Sequence, residues 1–360
     1  MSGPLEGIRV IELGSIGPGP FAGMMLADHG AEVIRVERPG AYDPTEPMLR
    51  SRKLLTLDLK TDQGRADLLA LVKTADALIE GLRPGKMENL GLGPDVLLAA
   101  NPRLVFGRMT GWGQTGPKAS LAGHDINYIS LSGALHAIGP SDQPIPPLAL
   151  AGDFGGGGMF LAFSVSAALL NARQSGRGQV IDCAMMEGSA LLMSAFYSML
   201  GTGRWTDARA SNTIDGGTPF YGAYRTLDDK FVSIGPIEPQ FYAMLINALG
   251  LGGDPDFADQ WDRSTWPRRR DRLADIFLTR TRDQWCELLE DTDVCFAPVL
   301  SLSEAPYHEH AVAREAFVTL GGIIQPAPAP KYSETRLAPP VMPRWTSLEE
   351  LSVENSRADL

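Results

Sequence analysis

The chain has 360 residues, 44% of them apolar, with a formal net charge of −11 at pH 7. Such apolar content sets aside a disordered chain, and the negative balance argues against nucleic-acid or anionic-membrane partners while leaving room for a local basic pocket. Cys183, Cys286 and Cys295 show neither CxxC nor Cys/His metal spacing, so reduced thiols, no metal and a cytoplasmic location are expected. Consistent with this, the N-terminus lacks a leader pattern, no apolar run reaches the ~20 residues needed to cross a bilayer, and the C-terminus carries no peroxisomal signal.

Ile8 to Leu13 is a β-rich run, followed by a Gly/Pro turn from Gly14 to Pro20, an apolar helical stretch from Phe21 and a second strand, Ala31 to Glu37. This βαβ unit points to a parallel sheet covered by helices. Gly17, Gly19 and Ala22 satisfy G-x-G-x-x-A, with Glu37 near the place of a ribose-binding acid. Pro18 and Pro20, however, have no N–H to offer a pyrophosphate, so the motif reads as a tight helix entry. Arg38, then Arg50, Arg52, Lys53 and Lys60, and later Arg83, stand near strand ends. Open α/β sheets bind ligands there, which makes these cations candidates for phosphate groups.

Residues 62–74 read as an amphipathic helix, 75–80 as a third strand, 87–98 as helical around a Gly-Leu-Gly-Pro break, and 104–109 as a fourth strand. His124 and Asp125 then head an apolar helical pattern. Asp153 precedes four glycines, Gly155 to Gly158, which open a helix apolar nearly all round and so expected to be buried. An isolated carboxylate at such a place is commonly a helix N-cap. A fifth strand, 179–184, leads to an apolar helix reaching about Leu200. A polar linker (201–218), a hairpin (220–234) turning at Asp228, helices after Pro239 and at 266–279 and 282–289, a strand at 296–299 and a Pro-rich extended tail from Gln325 complete the chain. The expected organisation is a large α/β domain, 1–200, with the tail 325–360 packing back on it, and a smaller domain, 219–324, beyond the linker.

A histidine and a carboxyl group at the mouths of two elements are two different proton carriers. Facing one cavity, they suit moving a proton from one face of a carbon to the other. Imidazole titrates near neutrality, and Asp125 or another carboxylate would fix its tautomer.

Taken in order, GPGPFAGMMLADHGAEVIRVERPG, LDLK, GLRPG, GWGQTGP, AGHDINY and GDFGGGG resemble the family III CoA-transferase superfamily. Through Gly-His-Asp at 123–125 they resemble, more narrowly, its α-methylacyl-CoA racemase branch, and the similarity continues through IEPQFY at 237–242 and APV near Val299. The resemblance implies a Rossmann-like parallel-sheet large domain, a smaller α+β domain and an interlocked homodimer. It implies inversion of 2-methylacyl-CoA thioesters through an enolate, with CoA as part of the substrate and no prosthetic group. His124 would serve the S isomer and Asp153 the R isomer, Glu238 would orient His124 from the other domain or subunit, and Asp125 with the first turn of its helix would offer N–H groups to the enolate oxygen. CoA would be contacted at Arg38, Leu57, Asp58, Leu59, Lys60, Gly81, Leu82, Arg83, Gly123, Ile126, Asn127 and Tyr128. Asn89 stands where several racemases have an arginine before Leu-Gly-Leu-Gly, which removes one phosphate cation unless Lys86 replaces it. The alternatives are a CoA-transferase using Asp153 as a nucleophile and a non-catalytic acyl-CoA binder. His124, Glu238 and the lack of a Gly-rich loop in the second domain favour the racemase.

Overall fold

In the computed structural model, which describes residues 3–40 and 47–352, apolar strands alternating with helices build a seven-stranded sheet. Six strands are β1 (Arg9–Leu13), β2 (Glu32–Glu37), β3 (Arg52–Thr56), β4 (Ala77–Glu80), β5 (Val105–Thr110) and β6 (Gln179–Ala184). The seventh, Arg344–Trp345, pairs with β3 at Lys53 and Leu54. Every pairing is parallel, and the order is Arg344–Trp345, β3, β2, β1, β4, β5, β6. Chain direction across the sheet reverses between β1 and β4, and such a reversal opens a crevice beyond the strands' carboxyl ends.

A parallel sheet is covered on both faces, so its strands are apolar on both sides. Neighbours on β1 show this: Val10 joins a cluster with Leu26, Leu161 and Val165, whereas Ile11 joins one with Leu68, Val72 and Phe106. The first helix, Pro18–Asp28, starts three residues before the expected Phe21, with Pro18 at its first position. A missing N–H costs nothing there, because the first N–H groups of a helix have no internal acceptor.

The larger correction concerns the glycine run. Glycine's low helix propensity suggested an opening at Gly155 to Gly158, but the chain is already helical from Leu150, in wide π turns to Met159 and then as an α-helix, Phe160–Ser175. The Phe154 N–H reaches back five residues to Ala149 O at 3.0 Å. Tertiary packing explains the glycines. A Cβ on Gly156 would lie 2.5 Å from Ser189 N, one on Gly158 2.7 Å from Pro18 O, and one on Gly188 1.9 Å from Gly156 O. Backbones therefore touch where two other helices meet this one. Nor is the helix buried all round: Leu161, Val165 and Leu169 are in the core, while Phe163 and Leu170 are exposed. Leu150–Ser175 is also long and apolar enough, by length and composition, to cross a bilayer, contrary to the expectation of no such run. Its apolar residues are divided between the core, with Leu161, Val165 and Leu169, and the surface, with Leu150, Met159, Phe163 and Leu170.

Two compact units are present: Met1–Ala134 with Pro147–Ser194 and His310–Leu360, and Leu135–Pro146 with Ala195–Glu309. The first contains the parallel sheet. The second contains β7 (Gly222–Arg225), β8 (Phe231–Ile234) and β9 (Phe296–Val299), all antiparallel, packed with the helices Pro239–Ala248, Trp266–Phe277 and Arg282–Leu289 around Phe220, Tyr224, Phe277 and Trp285. Residues of the polar stretch read as a linker are bonded within this unit. Asp215 accepts the N–H groups of Asn212 (2.8 Å) and Gly217 (3.0 Å), and Arg270 donates to Gly216 O and Gly217 O.

Candidate active site

Beyond the carboxyl ends of β1, β4 and β5 lies a cavity of about 520 Å³, a size typical of small-molecule sites. The carboxyl-terminal ends of those strands and the segments that follow them, Ile16–Gly19, Gly81–Pro84 and Met109–Trp112, line it together with Ala119, Leu121–His124, Tyr128, Asp153 and Met185. All belong to the first unit.

His124 is the extended residue (φ −131°, ψ 172°) immediately before the helix Asp125–Leu131. Its N–H donates to Asn127 Oδ1 at 3.0 Å, and the Asn127 N–H donates to His124 O at 2.8 Å, so the turn is locked from both directions. The Tyr128 hydroxyl donates to Gly123 O, and its ring meets Trp112 edge-on with centroids 4.7 Å apart. Gly111 leaves room for that ring, since a Cβ would lie 2.0 Å from it. The exposed His124 side chain thus stands on a fixed turn.

Asp153 lies in the first turn of the helix beginning at Leu150, not before it, so the N-cap reading is corrected. Its N–H donates to Asp125 Oδ1 at 2.8 Å. Gly17, at φ +70°, approaches from the β1 loop, where a Cβ would sit 3.1 Å from Asp153 Oδ2. Burial, followed by the Asp125 charge, pushes the Asp153 carboxyl above the usual range, and His124 works against them. The result is a carboxyl group readier than most to hold a proton.

The basic cluster after β2 is different from what its sequence suggested. Arg50 is buried and bonded to Asp28, and Arg52 is buried and bonded to Glu12 at 3.1 Å, while Lys53 pairs with Glu32 at 2.5 Å. These three are engaged within the fold and drop out as phosphate ligands. Arg35 also pairs with Glu12 and with Glu37. Glu37 is buried and tucked against Gly14, which removes it as a ribose acid and agrees with reading the Gly/Pro turn as a helix entry. That turn is held by guanidinium groups at both ends, Arg35 donating to Ser15 O at 3.0 Å and Arg52 to Pro20 O.

Of the residues singled out from sequence, His124, Asp153, Gly81, Leu82, Arg83, Gly123 and Tyr128 line the one cavity. Arg38 and Lys60 are exposed after β2 and β3, and Leu57 is in the core, whereas Asp58 Oδ1 accepts the Lys60 N–H at 3.0 Å. None of these, nor Leu59, is part of the cavity wall. Ile126 and Asn127 are exposed in the first turn after His124. Asp125 directs one oxygen to the Asp153 backbone N–H at 2.8 Å. Glu238 belongs to the second unit, where it stands before the helix Pro239–Ala248 without capping it through its side chain. Asn89 ends the short helix Lys86–Asn89, whose Glu88 pairs with Arg108. The wall residues Ile16–Gly19, Pro84, Met109–Trp112, Ala119, Leu121, Ala122 and Met185 are not among the site residues expected from sequence, although Gly17 and Gly19 fall in the Gly/Pro motif weighed and set aside above. For Ile16–Gly19 and Met109–Trp112 the available signal was glycine following a strand, at Gly17 and Gly111.

Burial pushes the Cys183 and Cys286 thiols up to about 12 and raises Cys295 as well, so none is a ready nucleophile at neutral pH. Among the described residues no group of three His, Cys, Asp or Glu side chains could hold a metal ion.

The profile of CoA-transferase family III matches residues 5–343. The chain is 45% identical to an α-methylacyl-CoA racemase of Mus musculus, over 97% of this chain and 92% of that one, and 44% identical to one of Homo sapiens, over 93% and 88%. A crystal structure of a CaiB/BaiF family protein from Brucella suis superposes with a TM-score of 0.81 at 25% identity, covering 99% of this chain and all of the other. The chain therefore belongs to CoA-transferase family III and is similar over nearly its whole length to racemases that are isomerases.

Proposed function

We propose that the protein is an isomerase that inverts the α carbon of 2-methylacyl-CoA thioesters by removing a proton from one face and returning one to the other. One observation carries this reading: His124 and Asp153, from two different elements, line one cavity, and burial raises the Asp153 carboxyl toward a working range. The α-proton of a thioester is far too weakly acidic for a free base at pH 7, so the enolate oxygen needs donors. The first-turn N–H groups at Asp125 fill that role. Arg83, exposed at the cavity wall, and Arg38, exposed beyond β2, bind the CoA phosphates. Glu238 orients His124. In support, its carboxylate is not engaged as a helix cap, and Gln260 holds its segment through bonds to Pro236 O (3.1 Å) and Ile237 O (2.9 Å). A homodimer covers the apolar surface left by Met159, Phe163, Leu170, Leu191 and Leu192, all exposed in the chain alone.

The test is α-proton exchange of a 2-methylacyl-CoA in D2O. Exchange and inversion with the thioester intact support the isomerase. Acyl or CoA transfer without exchange would support the transferase reading, in which Asp153 is a nucleophile. His124→Ala and Asp153→Ala should each slow racemisation at least about 10²-fold, and each should mainly suppress exchange from a different enantiomer. Wild-type rates in either variant would defeat the two-carrier mechanism.

A further inference from the structure

Asp125 follows His124 in the chain, yet its side chain reaches the other proton carrier. Its Oδ1 accepts the Asp153 N–H at 2.8 Å, and its Oδ2 is buried without a hydrogen-bond partner among the described residues. The Asp153 N–H is one of the first donors of its helix, which have no acceptor within the helix itself. Asp125 supplies one from outside. The neighbouring position is shaped to admit it: a Cβ on Gly152 would lie 2.2 Å from Asp125 Oδ1 and 2.8 Å from its Cγ. The bond thus joins the two elements that carry the proposed acid and base, one at the mouth of Asp125–Leu131 and the other in the first turn from Leu150.

We propose that the Asp125 side chain is a positioning residue for Asp153, fixing through the 2.8 Å bond to its N–H where the Asp153 carboxyl stands relative to His124. The inference rests on the reading of Asp153 and His124 as two proton carriers. It assigns Asp125 a role through its side chain that is separate from any N–H its backbone offers to the enolate oxygen, because substitution leaves that N–H in place.

The experiment measures α-proton exchange in D2O separately for each pure enantiomer of a 2-methylacyl-CoA, in wild type, Asp153→Ala, His124→Ala, Asp125→Ala and Asp125→Asn. Asp153→Ala defines the enantiomer whose exchange depends on that residue. Asp125→Ala should lower exchange from the same enantiomer about 10²-fold, the scale of a misplaced reacting group, and spare exchange from the other. Asp125→Asn, whose amide oxygen still accepts the N–H, should keep that exchange within about tenfold of wild type. Equal loss from both enantiomers in Asp125→Ala, no loss from either, or an Asp125→Asn variant as impaired as the alanine variant would each overturn the inference. If His124→Ala and Asp153→Ala themselves show no preference between enantiomers, the two-carrier reading falls first and the inference falls with it.

Discussion

Glu12 and Asp153 are two carboxylates at opposite extremes of use. Glu12, fully buried on β1, receives Arg35 and Arg52. Asp153, half-buried, has no ion pair or hydrogen bond at its carboxylate among the described residues, faces Gly17 and carries a raised proton affinity. Around Glu12 every charge is matched, which fixes the Gly14–Pro20 loop; that loop, in turn, leaves Asp153 its place at the cavity wall. Neutralised charge makes the frame, and an imperfectly neutralised one is left for chemistry. A perturbed carboxyl in a cleft is a functional signal of this kind, whereas a paired buried one is a structural signal.

The comparison can be broken most severely at the frame. Glu12→Ala leaves the fully buried Arg52 guanidinium without its carboxylate and takes one of two carboxylates from Arg35, and should cost about 3–5 kcal/mol of stability by urea denaturation; a loss below about 1 kcal/mol would show that Glu12 is not the structural charge described here. On the open side, Arg83→Ala should raise KM for acyl-CoA about tenfold with kcat nearly unchanged, because a phosphate contact is the same in ground and transition states. A matching fall in kcat would place Arg83 in the chemistry instead.

The smallest effect concerns stability at Asp153 itself. Because burial and Asp125 raise its folded-state proton affinity, the folded protein binds that proton more tightly than the unfolded chain does. This favours folding at acid pH, and the benefit fades as pH rises from the ordinary carboxyl range through the raised one. Asp153→Asn stays neutral throughout and should therefore show a slightly higher Tm than wild type at pH 7.5, with the difference vanishing near pH 4. A lower Tm at pH 7.5 would mean that the carboxylate is stabilising where it stands.

Strand positions were largely legible because short β-branched runs lie between glycine and proline breaks. Gln179–Ala184 and Phe296–Val299 have the bounds read from sequence. The large parallel sheet followed from the βαβ opening. Hidden from sequence were the fates of its charges: Arg52 looks like a solvent-facing cation until β1 brings Glu12 beside it. The glycine run misled for a related reason, since local propensity favours a helix break and only contact with Pro18, Gly188 and Ser189 explains why the helix passes through it. His124 and Asp153 stood out through a motif resemblance more than through local pattern. Their common cavity depends on long-range topology, as does the link from Asp125 to the Asp153 backbone.

The short Arg344–Trp345 strand has a consequence for the order in which the molecule is made. It pairs with β3, so Lys53 waits for Arg344 while the residues of the second unit are synthesised between them. Until then the outer side of β3 is an open edge, able to pair with another nascent chain. The ribosome therefore releases the last partner of an early strand only after the residues of the second unit, and that unit is free to reach its own fold before the sheet is complete.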